Sequence, residues 1–357
     1  MNASALLVTG GAGFIGTNFV RAAVARGEQV VVVDRLNYAA QEGNLAGLGA
    51  QVRLVARDLA APGDDLVRLL VETRPRWIVH AAAETHVDRS IHHPEAFVAS
   101  NLLGTFRLLE AARAYTAGLG EEERRRFRVL HVSTDEVYGA RAAEEPANRE
   151  GDPYEPTSPY AATKAGSDHL VRAWHKTYGL PVLVTNCTNN YGPYQHPEKF
   201  LPLMIYQALR GRPLPVYGDG RQVRDWLYVD DHVRALFRVL EGGTPGATYH
   251  VSAGLGPTNL EVLERLCTIL DRLRPRPEGS YLALVRHVAD RPAHDRRYAL
   301  ESTRLQHELG WRPEESLAGG LEKTVRWYLG HEAWWRRATG EDFRRWLAAH
   351  YDAELVG

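Results

Sequence analysis

Short apolar runs alternate with stretches of helical period through the first half of the chain, and each run breaks off at small, acidic or hydroxyl residues. Leu6-Leu7-Val8 predicts a strand, which Thr9-Gly10-Gly11-Ala12-Gly13-Phe14-Ile15-Gly16 turns into a helix running toward Arg26-Gly27. Gln29 to Val33 predicts a second strand ending at Asp34, and Val52-Arg53-Leu54-Val55 a third that leads to Asp58-Leu59. Trp77-Ile78-Val79-His80 runs into Ala81-Ala82-Ala83, and apolar positions recur at helical spacing from Phe97 to Ala114. The charged stretch Glu121 to Arg126 reads as a solvated loop before a further strand, Arg128 to Val132, and Pro181-Val182-Leu183-Val184 extends the series. Four strand-plus-helix units before residue 140 predict an α/β fold, a right-handed and mostly parallel sheet with helices on both faces.

The pattern changes after Asn189-Asn190-Tyr191-Gly192-Pro193, where Pro193, Pro197, Pro202, Pro213 and Pro215 interrupt it. This predicts a second, smaller domain closing over the carboxyl edge of the sheet. Arg224 to Asp231 predicts a strand entering a helix capped by Asp230 or Asp231, and Thr248 to Val251 predicts another strand. Leu260 to Leu270 has helical spacing, Asp290 to Asp295 is a polar loop, and the tail with Trp327, Trp334, Trp335 and Trp346 reads as amphipathic helices packed on the second domain. No internal repeat interrupts this organisation.

The 357 residues carry 43 basic and 44 acidic side chains, a net charge of -1, which offers no electrostatic footprint for nucleic acid or a membrane surface. No apolar run reaches the roughly 18 residues of a membrane span, and no basic region precedes the first apolar strand as in a secretory signal. Cys187 and Cys267 are too few for a disulfide framework and read as buried thiols, so the expected location is the cytoplasm. No metal is expected. Lysine is scarce: Lys164, Lys176, Lys199 and Lys323 are the four in the chain.

The strand ends carry the candidate chemistry, as the carboxyl edge of an open α/β sheet does. Gly10, Gly13 and Gly16 let the backbone turn tightly and approach a pyrophosphate at a helix N-terminus. Taken alone, the triplet also fits a structural turn. Asp34, 18 positions after Gly16, can accept hydrogen bonds from an adenosine ribose and repel a 2′-phosphate. That favours NAD over NADP, whereas Arg35 argues the other way. Asp58 and Leu59 suit either an adenine pocket or a solvent-facing loop. His86 and Arg89 could reach substrate or phosphate, and a lone histidine equally suits packing.

Ser133-Thr134-Asp135-Glu136-Val137-Tyr138-Gly139 follows the strand at 128–132. Two adjacent carboxylic acids after a hydroxyl can serve as acid and base on neighbouring carbons of one substrate; a polar loop capping a helix is the plainer reading. Tyr160 and Lys164 share one helix face at Tyr-x-x-x-Lys spacing, which lets the ammonium sit near the phenol.

With these motifs assembled, the chain resembles the extended short-chain dehydrogenase/reductase family and, within it, the dTDP-glucose 4,6-dehydratases. The likeness runs over almost the full length and is most specific at Ala82–Ile91, Ser133–Gly139, Tyr160–Leu170, Asn186–Phe200, Leu214–Asp231 and Asp290–Tyr298. The Thr134-Asp135-Glu136 triplet discriminates it from related epimerases and decarboxylases, which lack that acid pair. A scaffolding relative without activity would have lost at least one of Thr134, Asp135, Glu136, Tyr160 and Lys164. Departures are the longer loop at Ala40-Gln41-Glu42, Thr85 for serine, Ser100 for threonine, Ala293 for glycine, and the pair His92-His93.

The resemblance implies a Rossmann-type doubly wound parallel sheet, residues 1–186 plus about 223–253, with a smaller C-terminal α/β substrate domain at 187–222 and 254–357. It implies NAD held by Gly10, Gly13, Phe14, Ile15 and Gly16, by Asp34, Arg35, Leu36 and Asn37, by Asp58 and Leu59, by Ala82, Ala83, Glu84 and Thr85, and by Ser100, Tyr160, Lys164 and Asn190. The nucleotide-sugar substrate, dTDP-glucose by preference, is expected to meet His86, Thr134, Asn189, Lys199 and Phe200, then Pro215, Val216, Tyr217, Arg224 and Asn259, and finally Asp290, Arg291 and His294. Tyr160 is the implied base at the 4-hydroxyl, Glu136 the base at C5, Asp135 the acid at the 6-hydroxyl, and Thr134 the donor to O4. A homodimer joined through helices near Ile91–Ala114 and Pro159–Tyr178 completes the expectation.

Overall fold

The computed structural model describes residues 5–290, 292 and 294–350, so the expected contact Arg291 and the departure Ala293 lie outside the described residues. Seven strands form the central sheet: β1 (Leu6–Thr9), β2 (Val30–Asp34), β3 (Val52–Ala56), β4 (Trp77–His80), β5 (Arg128–Thr134), β6 (Val182–Cys187) and, from further along the chain, β10 (Thr248–Val251). Two parallel pairs stand apart from it, β7 (Asn189–Tyr191) with β9 (Trp226–Tyr228) and β8 (Leu214–Tyr217) with β11 (Val285–Val288). Every pairing in the central sheet is parallel, in the order β10-β6-β5-β4-β1-β2-β3. The order reverses between β1 and β4, and the crevice beyond that reversal is where ligands bind in such sheets.

The pleat sends alternate side chains to two cores. Leu6, Val8, Val30 and Val32 face the helices Phe14–Ala25 and Val229–Gly242, where Phe19 stacks on Phe237 at 4.5 Å. Leu7, Val31 and Val33 face the helices Asp65–Thr73, Gly104–Ala117 and Pro159–Tyr178. A third core, containing Tyr191, Trp226, Leu263 and Trp335, fills the C-terminal region. The crossover from β2 to β3 holds only the 3-10 turns Glu42–Leu45 and Gly49–Gln51.

Three expectations are corrected. Glu121–Arg126 is a short helix and not a loop: its glutamates occupy the first turn and its arginines the last, complementing the helix dipole, while Glu123 accepts from the Gly120 N–H. Neither Asp230 nor Asp231 caps its helix, because the helix begins one residue earlier at Val229; Asp231 instead accepts the backbone N–H groups of Glu314 and Glu315. The tail tryptophans do pack in the C-terminal core, but they also reach the sheet domain, since the Trp334 indole donates to Asn44 at 2.6 Å and Trp346 lies edge-on to His86.

Candidate active site

A cleft of about 1010 Å³ opens over the ends of β1, β2 and β4. The glycine turn, Asp34, Arg35, Asn37, Asp58, Leu59, the run Ala82–Thr85 and Ser100 line it. Gly10 has φ +71, and a Cβ there would lie 2.6 Å from the Ala82 backbone; a Cβ on Gly16 would lie 2.1 Å from the Gly10 carbonyl. Those two glycines let the turn fold on itself. Gly13 differs, since its added Cβ would meet only the Gly10 oxygen at 3.4 Å, leaving that side open to the cleft. Among the described residues, no side chain caps the helix that starts at Phe14. An open backbone at an uncapped helix N-terminus fits a dinucleotide pyrophosphate.

The ribose end of this cleft is acidic. Asp34 accepts from Ala12 N at 3.0 Å and from Leu36 N at 2.8 Å, bonds that oppose the upward push of burial on its carboxyl. Leu36 achieves this by adopting φ +57, a strained setting for a branched side chain, while its side chain packs into the core and leaves the cleft wall. Arg35 is ion-paired with Glu84, which also accepts from Asn37 at 2.8 Å, and its other arm faces Asp58 at 3.6 Å. Its charge is thus already met by carboxylates, which weakens the one argument for NADP.

The acid pair lies at the end of β5, as its sequence position requires. Thr134 Oγ1 donates to Asp135 at 3.1 Å and accepts from Glu136 N at 3.3 Å, so the hydroxyl fixes the turn that presents both acids. Asp135 is buried, and its Oδ2 has no hydrogen-bond partner among the described residues. Burial, reinforced by the Glu136 charge, pushes its carboxyl up to about 8. Glu136 is half-buried and faces a second cleft. Tyr160 sits among Glu136, Cys187, Thr134 and Asp135, and burial followed by the Glu136 charge raises its phenol well above the ordinary value. Lys164 Nζ donates to the Val132 carbonyl at 2.9 Å and faces His131 at 3.4 Å, so its hydrogen bonds go to β5 and not to the phenol.

The second cleft, about 880 Å³, adjoins the first and shares Thr85, Glu198 and Lys199 with it. His86, Asn189, Lys199, Phe200, Pro215, Val216, Tyr217, Arg224, Asn259 and His294 line it together with Glu136. Three expected residues play other parts, and Arg224, though it lines the cleft, is partly committed elsewhere. Asp290 is exposed and does not line the cleft; it is bonded to His294 Nδ1 at 2.6 Å and accepts from Gln222. Asn190 turns its side chain to His232 at 2.9 Å and to the Thr188 carbonyl. Arg89 is held by Glu198 at 3.0 Å over the Tyr38 ring. Arg224 already donates to the carbonyls of Val223, Arg296 and Asp295, which leaves less of its fork for a phosphate.

Sequence reasoning missed the polar residues that fasten these walls. Glu198 is buried between the clefts; burial raises its carboxyl, but His86, His196, Lys199 and Arg89 hold it at about 2. Asn101, in a π-helical turn at Val98–Leu103, exchanges bonds with Glu84 N at 2.8 Å and Glu84 O at 3.0 Å. Asn44 donates to the Ala12 carbonyl at 2.8 Å and accepts from Trp334. The one local signal was the π turn's Ser100-Asn101 beside an otherwise regular apolar pattern; the other two depend on contacts far apart in the chain.

Residues 7–324 match the family model described as GDP-mannose 4,6 dehydratase. The chain is 52% identical over 330 residues to the dTDP-glucose 4,6-dehydratase of Xanthomonas campestris pv. campestris, spanning 92% of this chain and 94% of that relative. Its fold is similar to the crystal structure of the Streptomyces venezuelae dTDP-glucose 4,6-dehydratase with NAD bound, with a TM-score of 0.84 at 46% identity over 93% of this chain and 99% of that one. The NAD complex of UDP-glucose 4-epimerase from Thermus thermophilus gives a TM-score of 0.79 at 30% identity, over 91% and 99%. One backbone therefore serves enzymes named for two reactions, and side chains must separate them.

Proposed function

Because this chain belongs to the family described as GDP-mannose 4,6 dehydratase, and within the extended short-chain dehydrogenases/reductases to the dTDP-glucose 4,6-dehydratases, we propose that its two adjoining clefts hold NAD and dTDP-glucose against the acid pair of β5. The enzyme is a hydro-lyase of deoxysugar biosynthesis. It converts dTDP-glucose to dTDP-4-keto-6-deoxyglucose by oxidation at C4, loss of water across C5 and C6, and return of hydride to C6. When bound, NAD accepts the hydride and later returns it, and its positive nicotinamide ring lowers the phenol that burial has raised.

Tyr160 takes the proton of the 4-hydroxyl, and Thr134 turns its one hydroxyl proton from Asp135 to O4 as charge develops there. The resulting ketone acidifies C5, and Glu136, the acid that faces the substrate cleft, removes the C5 proton. Asp135 gives its proton to the departing 6-hydroxyl. Lys199 and what remains of the Arg224 fork meet the diphosphate, and Asp34 with Glu84 meets the adenosine side of the cofactor.

The observation that carries this reading is the contrast within the acid pair: Asp135 is buried and held protonated near neutrality, while its neighbour Glu136 faces the substrate cleft. An epimerase shares the fold but has no use for two such acids. The protein supplied with dTDP-glucose in deuterated water is expected to yield a 4-keto-6-deoxy sugar carrying deuterium at C5. Mass spectra showing only unlabelled glucose or a galactose isomer would overturn the reading.

The exposed apolar side chains support a homodimer. Of eight large ones among the described residues, Ile91, Val98, Leu103, Phe106 and Tyr178 lie on the segments 87–117 and 159–178. The free, buried Cys187 and Cys267 support a reducing compartment, the cytoplasm. No helix among the described residues is long and apolar enough to cross a membrane.

A further inference from the structure

Resting on that reading of Tyr160 and Lys164, we propose that Asp168 and His131 are positioning residues for Lys164, a buried carboxylate and imidazole that keep its ammonium charged and fixed against the end of β5. Lys164 is 4% exposed, His131 1% and Asp168 0%. Asp168 follows Lys164 by four residues on the helix Pro159–Tyr178, so the two side chains share a face. His131 lies on β5 between them: its Nε2 is 3.4 Å from Lys164 Nζ and 3.1 Å from Asp168 Oδ1. The other carboxylate oxygen accepts from Tyr154 OH at 2.8 Å and Asn186 Nδ2 at 3.1 Å, which locks its orientation.

A buried ammonium with no countercharge sheds its proton. The titratable groups around this one come from every packed element. Arg172, on the same helix, donates to Tyr154 OH at 2.6 Å; His80 of β4 has its ring 5.1 Å from that of His131; Cys187 stands on β6. Burial keeps both imidazoles neutral and pushes the Cys187 thiol up to about 12, so Asp168 is the one anion in this group of described residues. Burial lowers Lys164, Asp168 opposes it, and Asp168 itself is held at about 2 despite its burial.

The imidazole has a specific use here. One ring nitrogen faces both the ammonium and the carboxylate; its 3.1 Å approach to Asp168 Oδ1 is a close contact and not a formed hydrogen bond, and both that oxygen and His131 Nδ1 are buried without a hydrogen-bond partner among the described residues. A neutral histidine can donate from Nε2 to the carboxylate or accept there from the ammonium, and its tautomer therefore follows the charge on Lys164. Without the charge, a phenolate at Tyr160 loses its support and the first oxidation needs a higher pH.

Four lysines in the chain make selective isotope labelling of lysine side chains and NMR titration of the full-length protein practical. In Asp168→Asn and His131→Leu the Lys164 midpoint is expected to fall by about one pH unit or more. His131→Gln is expected to keep it, because an amide accepts from the ammonium through one atom and donates to the carboxylate through another. In single turnovers with dTDP-glucose, the acid limb for appearance of reduced nicotinamide should move to higher pH in the first two variants, with KM little changed. Unchanged midpoints in both, or a shift in His131→Gln as large as in His131→Leu, overturn the proposal. If Asp168→Asn does not fold, the two His131 variants decide. A wild-type lysine that titrates as described in a protein that makes no keto sugar would instead overturn the functional reading.

Discussion

A single unpaired oxygen decides much at the residue scale. Asp135 Oδ2 is buried without a partner among the described residues, and the carboxyl is pushed up to about 8 by burial and by Glu136. Its folded pKa lies above the ordinary value near 3.9, so the folded state holds the proton more tightly than the unfolded chain. Stability is thus lost as pH rises between roughly 4 and 8, and the elimination step loses its acid over the upper part of that window. Asp135→Asn, which cannot ionise, is expected to melt higher than the wild type above pH 8 or so by calorimetry. It should slow elimination by about 100-fold or more while sparing the first oxidation, so that reduced nicotinamide accumulates in stopped-flow absorbance. The acids themselves were legible because they interrupt a strand-like run with charge. Their opposite environments were not, since nothing local tells which of two neighbours points inward.

At the scale of elements, the ends of strands were readable and the fastenings between them were not. Apolar runs such as Val30–Val33 and Val182–Val184 announce buried parallel strands, and each became one. Glu121–Arg126 misled because six charged residues look solvated, which they are, and a helix dipole with charges of the right sign at each end made them a helix as well. Asn44 and Trp334 gave no sign of each other across 290 positions. Their bond ties the 3-10 turn at Glu42–Leu45, and through Ala12 the glycine turn, to the helix Glu332–Ala338. Trp334→Phe keeps an aromatic ring but removes the donor and part of a buried side chain. We expect about 2 kcal/mol or more lost from stability, hydrogen bond and cavity together, and NAD binding weakened roughly fivefold, measured by calorimetric titration. Equal NAD affinity in the two proteins would show that the tie serves packing alone.

For the whole molecule, the doubly wound sheet was legible from strand spacing, whereas the way the C-terminal core wraps back over it was not, because that depends on buried tryptophans meeting polar partners. The exposed face between Ile91 and Tyr178 is the remaining large-scale feature. Val98, 49% exposed on that face, should become unfavourable in a paired assembly when charged. The wild type is expected to sediment as a dimer and Val98→Glu as a monomer; a monomeric wild type would overturn the pairing, and an unchanged sedimentation coefficient in the variant would put the contact elsewhere. The long-range tie from Asn44 to Trp334 also orders events at the ribosome. The dinucleotide crevice is translated early, yet Asn44 at its rim has no indole to accept from until the helix Glu332–Ala338 has left the ribosome, so this fastening can close only long after the glycine turn has been made.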